Sequence, residues 1–164
     1  MIARPTVRFM LAHPAHALAL GFGAGLAPIA PGTAGTLAAW PLFIVLSAWL
    51  GPVALLVLAV FLFALGVWAC GRTGAAMGVP DHGSMVWDEV VAFLVILVFT
   101  PATWGWQLVA FLAFRVFDVL KPPPIREIDR HWKGGFGVMF DDVLAAFYTL
   151  LLLAVAKRGV DAWL

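Results

Sequence analysis

Five long apolar stretches, separated by shorter polar segments, dominate the chain. They cover residues 37–50, 52–70, 86–99, 104–120 and 143–156. A helix needs about 20 residues to cross the hydrocarbon core of a bilayer, so several of these stretches are long enough only if their helices continue into the polar residues at their ends. The pattern therefore predicts an all-α, polytopic membrane helical bundle of about five transmembrane helices.

The composition favours this interpretation over a soluble helical core. Hydrophobic residues make up 63% of the 164 residues and charged residues 12%, against roughly 45–50% and 25% in soluble domains. A soluble fold of this size could not hide so many apolar side chains, because much of its surface stays exposed. Neither a repeat nor a shift in composition divides the chain, so residues 1–164 are predicted to form one domain. The net charge of +1 gives no reason to expect nucleic acid as a partner, and the oligomeric state stays open.

The N-terminal segment has the outline of a signal peptide but lacks its continuous apolar core. Arg4 and Arg8 precede an apolar stretch, and small residues flank His16 as they would at a cleavage site. His13 and Pro14 interrupt the apolar stretch, however. The segment is therefore predicted to be an interfacial helix, lying on the membrane with its two arginines toward lipid phosphates.

The polar segments are predicted to share one face of the membrane. If successive helices alternate in direction, residues 21–36, 72–89 and 115–142 lie on the same face, and the opposite face has only two short turns and the C-terminal tail. Eight of the ten basic residues belong to the first face, namely Arg4, Arg8, Arg72, Arg115, Lys121, Arg126, Arg130 and Lys133. The positive-inside rule makes this face cytoplasmic.

Five carboxylates gather at the helix ends on this face: Asp88, Glu89, Asp118, Asp141 and Asp142. So many acids can crowd together only if cations compensate them, and Mg²⁺, which prefers oxygen ligands, is the natural candidate. Neighbouring residues on a helix point about 100° apart, so one acid of each adjacent pair is expected to face the metal. The other acid would cap its helix N-terminus, a role that is also the structural alternative for Asp88, Asp141 and Asp142.

Basic residues accompany these acids. Arg115 and Asp118, three residues apart on one helix, form either a buried ion pair or an arginine that grips phosphate beside an aspartate that holds metal. After them, three consecutive prolines end the helix. Four basic residues are therefore expected on a constrained loop, which binds either anionic lipids or a phosphorylated headgroup: Lys121, Arg126, Arg130 and Lys133.

Two further segments offer weaker signals. The glycine-rich stretch 21–36 could bring backbone N–H groups close to an anion, and Thr33 or Thr36 could cap the first membrane helix. His82 lies in a turn-forming segment, residues 81–84. A lone loop histidine is usually not functional, although His82 could contact phosphate or carry a proton.

Four separated motifs, in this order, resemble the phosphatidylglycerophosphatase A family. They are Gly21-Phe22-Gly23 through Pro31-Gly32-Thr33; Asp81-His82-Gly83-Ser84-Met85-Val86-Trp87-Asp88-Glu89; Phe114-Arg115 with Asp118 and Lys121-Pro122-Pro123-Pro124-Ile125; and Asp129-Arg130 with Gly134-Gly135, Asp141-Asp142 and Ala145. The resemblance implies a bacterial, multi-pass, cytoplasmic (inner) membrane lipid phosphatase that depends on Mg²⁺. Such an enzyme removes the terminal phosphate of phosphatidylglycerophosphate, giving phosphatidylglycerol and inorganic phosphate, with its active site facing the cytoplasm.

Roles for the candidate residues follow from the residue types and the resemblance together. The expected metal ligands are Asp88, Glu89, Asp118 and Asp142, and the expected catalytic residues are Arg115, Asp118, Asp141 and Asp142. Phosphate contacts are expected from Arg115, Lys121, Arg126, Arg130, Thr33, Thr36 and His82. A carboxylate acts either as the base for water or as the nucleophile, and the sequence leaves this open. The alternative function is a small ion or proton transporter, since ionisable residues in membranes also mark ion paths.

Overall fold

The computed structural model describes residues 4–163, and within them the regular structure is entirely helical. The α-helices are α1 (Val7–Leu11), α2 (Pro14–Ala19), α3 (Pro31–Ser47), α4 (Pro52–Met77), α5 (Trp87–Phe99), α6 (Trp104–Leu120), α7 (Ile125–His131) and α8 (Gly135–Trp163), with a 3-10 helix at Gly21–Leu26. Each of the five apolar stretches falls in a helix of its own, namely α3, α4, α5, α6 and α8. The all-α prediction is confirmed. Helices α3, α4 and α8 extend beyond their apolar stretches into polar residues, as predicted, whereas α5 and α6 do not.

Helix α5 is the centre of the bundle. It packs against α3, α4, α6 and α8, and nine of its 13 residues are buried. A helix that is apolar all round is stable only when neighbours cover every face. Because α5 is enclosed in this way, the acids in its first turn, Asp88 and Glu89, lie among the other helices.

Two helices are long and apolar enough to cross a membrane by themselves. These are α4, with 26 residues, and the segment Gly135–Ala162 of α8, with 28. Helices α3 and α6 have 17 residues each and α5 has 13, which corresponds to about 20 Å for α5 at about 1.5 Å per residue. By length and composition, α4 and α8 can each cross a membrane, and the prediction of about five transmembrane helices stays a prediction. The short helix α5 packs against both of them.

Two predicted helix starts are wrong. Helix α3 begins at Pro31 after Ala30, so Thr33 and Thr36 lie inside the helix and cap nothing at its end. Helix α8 begins at Gly135, several residues before the predicted start, and this places Asp141 and Asp142 in its second turn. The predicted capping role is therefore wrong for both aspartates.

The early start of α8 has a packing reason. A side chain at Gly135 would collide with the backbone carbonyl of Val67 in α4. Glycine is a poor helix former in isolation, but here it lets α8 pass directly over α4, and this contact holds the first turn in place. Tertiary packing thus overrides a local preference that the sequence pattern suggests.

The segment after α6 is more ordered than predicted. Lys121 adopts a left-handed backbone conformation with φ 43° and ends α6. Residues 125–131 then form α7, so the prediction of a loop around Arg126 and Arg130 is wrong. The fully buried side chain of Ile125 anchors this short helix, which packs against α8.

The predicted N-terminal interfacial helix is two short helices, α1 and α2. Helix α2 packs against α4, with Ala15 and Ala19 fully buried. The buried His16 shares a hydrogen bond of 3.0 Å between its Nδ1 and Thr73 Oγ1, and the Thr73 hydroxyl donates to the Ala15 carbonyl at 3.3 Å. Helix α2 is thus docked on the bundle. The location of α1 at a membrane surface stays a prediction.

Candidate active site

Three carboxylates from two helices form a compact cluster. One oxygen each from Asp88, Glu89 and Asp142 lie within 4.8 Å of one another. Glu89 is 8% exposed and Asp142 2%, whereas Asp88 is half-buried. The central position of α5 and the close approach of α8 bring together acids that are more than 50 residues apart in the sequence.

The two adjacent pairs of acids differ in how they meet the cluster, and which of them face a metal stays a prediction. Asp142 joins the cluster, whereas Asp141 is directed toward Lys121. Asp88 and Glu89 both join it, because the longer glutamate side chain can bend back across the angle that separates the two residues on the helix.

The cluster has the properties of a site for a divalent cation. Glu89 Oε2 and Asp142 Oδ2 are buried and have no hydrogen-bond partner within the part of the chain that the structure describes. Buried polar atoms are normally paired, and three adjacent carboxylates repel one another unless a cation compensates them. Mg²⁺ binds oxygen at about 2.0–2.1 Å, so the cluster needs only small side-chain movements to surround such an ion. The residues present fit Mg²⁺.

Arg115 connects this cluster to two more helices. Its Nη1 lies 2.7 Å from Asp118 Oδ2 and 3.5 Å from Glu89 Oε1, and it donates to Thr36 Oγ1 in α3 at 3.4 Å. The Arg115–Asp118 ion pair is therefore real. Arg115 Nε is buried and has no partner among the described residues, so one directed donor remains for a ligand.

Asp118 lies at the edge of the cluster. Its carboxyl group neighbours that of Asp142 and is bound by Arg115. Of the four predicted metal ligands, the structure thus brings three together and places Asp118 beside them.

Gly32 explains part of the glycine-rich stretch. A Cβ at this position would collide with Glu89 Oε1 and lie 3.1 Å from Arg115 Nη2. The carbonyl of Gly32 accepts a hydrogen bond from Thr36 Oγ1 at 3.0 Å. The missing side chain therefore lets Glu89 and Arg115 contact the first turn of α3.

Lys121 forms an ion pair with Asp141, the remaining predicted catalytic acid. Its Nζ lies 2.5 Å from Asp141 Oδ2 and 3.2 Å from Asp129 Oδ1, and it thereby joins the end of α6 to α7 and α8. Burial opposes the charge of the ammonium group, but the two carboxylates outweigh burial and raise the pKa of Lys121 above its usual value. Lys121 therefore remains charged at neutral pH and fixes Asp141 beside the cluster.

The other predicted phosphate contacts lie outside this network. Arg126 is exposed and donates to the Leu120 carbonyl at 3.3 Å, and Arg130 is exposed on α7. His82 Nδ1 accepts a hydrogen bond from the Ser84 backbone N–H at 3.1 Å, which is the turn role expected of this segment. Thr33 is half-buried in α3.

Two residues of the network received no role from the sequence. Gly32 was one glycine among many, and its tight contact with Glu89 has no local signal. Asp129 pairs with Lys121 across the proline turn. Asp129 belongs to the fourth motif quoted above. Its place in that motif, shortly after the basic Lys121, was the sequence feature that could have identified it.

These features define a class: an all-helical protein that has two helices able to cross a membrane and a candidate metal site at one end of its helices. The polar ends of α3, α5, α6 and α8 meet there, and two of the helices present are of membrane length. The chain belongs to the phosphatidylglycerophosphatase A family, whose model matches residues 17–157.

Relatives share the sequence over most of its length. A Haemophilus influenzae protein named phosphatidylglycerophosphatase A is 47% identical over 150 residues, covering 91% of this chain and 92% of the relative. An Escherichia coli protein of the same name is 44% identical over 140 residues, covering 84% and 80%. A Bacteroides thetaiotaomicron protein, named provisionally as a phosphatidylinositol-3-phosphatase, is 41% identical over 145 residues, covering 84% and 89%. No solved structure matches the chain significantly.

Proposed function

We propose that this chain is a phosphatidylglycerophosphatase that removes the terminal phosphate of phosphatidylglycerophosphate and uses Mg²⁺ to do so. The observation that carries the proposal is the buried cluster of Asp88, Glu89 and Asp142, with partnerless oxygens and Arg115 beside it. The names of the relatives supply the substrate. The cluster supplies a reason for a metal, since its acids cannot all stay ionised without one.

The side chains divide the work between binding and positioning. Asp88, Glu89 and Asp142 would hold Mg²⁺, which neutralises charge on the phosphate and orients it for attack. Arg115 would donate from its free Nε to a phosphoryl oxygen, while Asp118 fixes the guanidinium plane. Arg126 and Arg130, exposed on α7, would attract the doubly phosphorylated headgroup from a distance rather than hold it.

Two routes to phosphate release remain distinct. In the first, the oxygen of a water molecule attacks phosphorus while a carboxylate such as Asp118 takes a proton from that water. The lipid oxygen then leaves with a proton. In the second, an aspartate oxygen attacks phosphorus directly and water later cleaves the acyl phosphate. Acid quenching during turnover, followed by borohydride reduction of the protein, separates them, because only the second route leaves a phosphate covalently bound to an aspartate.

The chain is proposed to cross the bacterial cytoplasmic membrane five times, as one domain over residues 1–164, with the active site on the cytoplasmic face. The positive-inside rule supports this orientation, since eight of the ten basic residues lie on that face of the proposed topology. Packing supports the crossings of α3, α5 and α6, because α5 contacts both helices of membrane length.

The alternative function, an ion or proton transporter, would need a path of ionisable groups across the bundle. Ion transport requires ionisable groups through the middle of the bundle and on both sides. In the described residues, the buried charged side chains Glu89, Asp141 and Asp142 gather at one end. At the other end, Lys157 and Asp161 form an exposed ion pair.

Phosphate release by the purified protein tests the proposal. Protein in detergent micelles is given phosphatidylglycerophosphate with Mg²⁺ or with a chelator. We expect release with Mg²⁺, none with the chelator, and a loss of more than about 100-fold in Asp142→Asn, since even indirect partners of a metal are worth about 10–100-fold. Asp161→Asn, which alters an exposed aspartate in the same helix, should retain full activity. No release from folded wild-type protein would refute the activity, and release that survives chelation would refute the metal.

A further inference from the structure

Beside the carboxylate site lies an apolar groove. The groove has a volume of about 500 Å³ and lies between α4, α5 and α8, and every residue that lines it is apolar. It is open to its surroundings, because Val60 and Phe147 on its walls are 71% and 60% exposed. Nothing in the proposed chemistry uses it.

The groove continues directly from the carboxylate cluster along two helices. On α5, the lining residues Val91 and Ala92 follow Asp88 by three and four positions, and on α8, Ala146 follows Asp142 by four. Residues at these spacings share a helix face. A molecule whose charged end reaches the cluster can therefore lay an apolar tail in the groove without crossing a polar surface.

The groove also runs deep enough to hold such a tail. Its α8 wall is a stripe of one residue per turn that extends from Phe136 through Phe140, Val143 and Phe147 to Leu150. The part of this stripe beyond Asp142, as far as Leu150, is about 12 Å long at about 1.5 Å per residue. The hydrocarbon core of a bilayer is about 30 Å thick, so this part covers most of the depth that the acyl chains of one leaflet occupy.

We propose that this groove binds an acyl chain of the lipid substrate while its terminal phosphate lies at the Asp88–Glu89–Asp142 cluster. The inference rests on the proposed phosphatase activity and adds the part of the substrate that the activity leaves unassigned. The carboxylates are buried within the bundle, so the headgroup must come close to the helices. A groove for the chain orients the lipid and holds its glycerol end near the cluster. The groove thus selects diacyl lipids over soluble phosphate esters.

A matched pair of valines on α4 tests the groove. Val60 lines it, whereas Val57, one turn away and 66% exposed, does not. Val60→Phe fills part of the groove, and Val57→Phe adds the same bulk outside it. Activity is compared on dipalmitoyl and dihexanoyl phosphatidylglycerophosphate at equal mole fraction in detergent micelles. Wild-type protein should prefer the long-chain substrate. We expect Val60→Phe to lower kcat/KM for that substrate by about tenfold with little change for the short-chain one, and Val57→Phe to change neither.

Other outcomes separate the possible failures. Val143→Phe, on the opposite wall, is the second variant if Val60→Phe unfolds, and the two should behave alike. An equal change on both substrates, or no change on either, overturns the proposal. An equal loss together with a changed particle size in detergent assigns the groove to a second copy of this chain. If wild-type protein releases phosphate from neither substrate, the phosphatase activity itself has failed and the groove proposal falls with it.

Discussion

At the scale of single residues, the site depends on atoms that lack partners within the protein. Asp142 is 2% exposed and its Oδ2 has no hydrogen-bond partner among residues 4–163. An arrangement of this kind is unfavourable alone, since buried carboxylates need compensation. The residue therefore contributes little to stability until a cation binds, and its value lies in the bound state.

Metal binding should accordingly stabilise the wild-type protein more than an Asp142→Asn variant. A ligand that binds only the folded state raises stability with its concentration, and the variant lacks one ligand oxygen. We expect Mg²⁺ to raise the unfolding temperature of the wild type in detergent and to leave that of the variant nearly unchanged. Without metal, the variant should unfold at the same or a higher temperature, because one repelling charge is gone. A variant that keeps the full Mg²⁺-dependent shift would exclude Asp142 as a ligand.

Gly32→Ala should damage the site without unfolding the bundle. The added Cβ would collide with Glu89 Oε1 and press on Arg115, so both side chains must move. Displacement of reacting groups by about 1 Å can cost about 100-fold in rate, and we expect a loss of about 10–100-fold in kcat/KM. Gly105→Ala is the control, since a Cβ there meets nothing within 4 Å. Equal activities of the two variants would show that the tight contact at Gly32 is unimportant.

At the scale of elements, one lysine joins three helices. Lys121 ends α6 and pairs with Asp129 in α7 and Asp141 in α8. Its side chain is 24% exposed, so the pairs are shielded from water more than surface pairs are. The positive charge of Lys121 also keeps the carboxylate of Asp141 directed away from the carboxylate cluster. Of the two adjacent aspartates, only Asp142 joins that cluster.

Lys121→Met should lower stability and activity together. Removing the ammonium leaves two carboxylates facing each other, and for a partly buried pair we expect a cost of about 1–2 kcal/mol, less than for a fully buried one. The unfolding temperature in detergent should fall by about 3–6 °C. Lys157→Met, which breaks the exposed pair with Asp161, should cost less than about 1 kcal/mol.

The pH range of this effect follows from the raised pKa of Lys121. A raised pKa means that the stabilisation is complete below the ordinary lysine pKa of about 10.4 and is lost only as the pH rises through the higher folded-state value. The difference between wild type and Lys121→Met should therefore stay constant from pH 7 to pH 9. A difference that shrinks over this range would contradict a charged Lys121.

The sequence predicts the helices better than their ends. Apolar stretches of membrane composition leave little choice but a helix, and the side-chain types at their polar ends predict a metal and phosphate site. The start of α8 at Gly135 and the order of residues 125–131 depend on contacts with distant residues such as Val67. Which acid of Asp141 and Asp142 enters the cluster likewise depends on Lys121, which lies on another helix. Patterns along the chain carry no information about such pairings.

At the scale of the whole molecule, the polar ends of four helices meet at one end of the bundle. The site includes the start of α3 at Gly32 and Thr36, the start of α5, the end of α6 at Arg115, and the second turn of α8 at Asp142. Helices that run in alternate directions produce this arrangement when every long connection is on the same side.

Thiol labelling tests this topology directly. The native Cys70 is fully buried, so the wild-type protein should react little with a membrane-impermeant maleimide and serves as the background. Trp49→Cys, at a residue 86% exposed between α3 and α4, should react in intact cells. Arg126→Cys, on the exposed side of α7, should react only in inverted membrane vesicles. Reaction of both positions from the same side would contradict this topology, because the three helices between them, α4, α5 and α6, would then cross the membrane an even number of times.

The meeting of α3, α5, α6 and α8 also sets an order for biosynthesis. A ribosome delivers Glu89 to the membrane before Arg115, and both before Asp142, because the chain is made from its N-terminus. Asp88 and Glu89 in α5 therefore have no ionic partners until α6 and α8 have been synthesised. The nascent protein completes its carboxylate cluster only with its last helix. Fragments released before α8 is made should therefore be inactive and should expose uncompensated charge, which quality-control proteases can recognise.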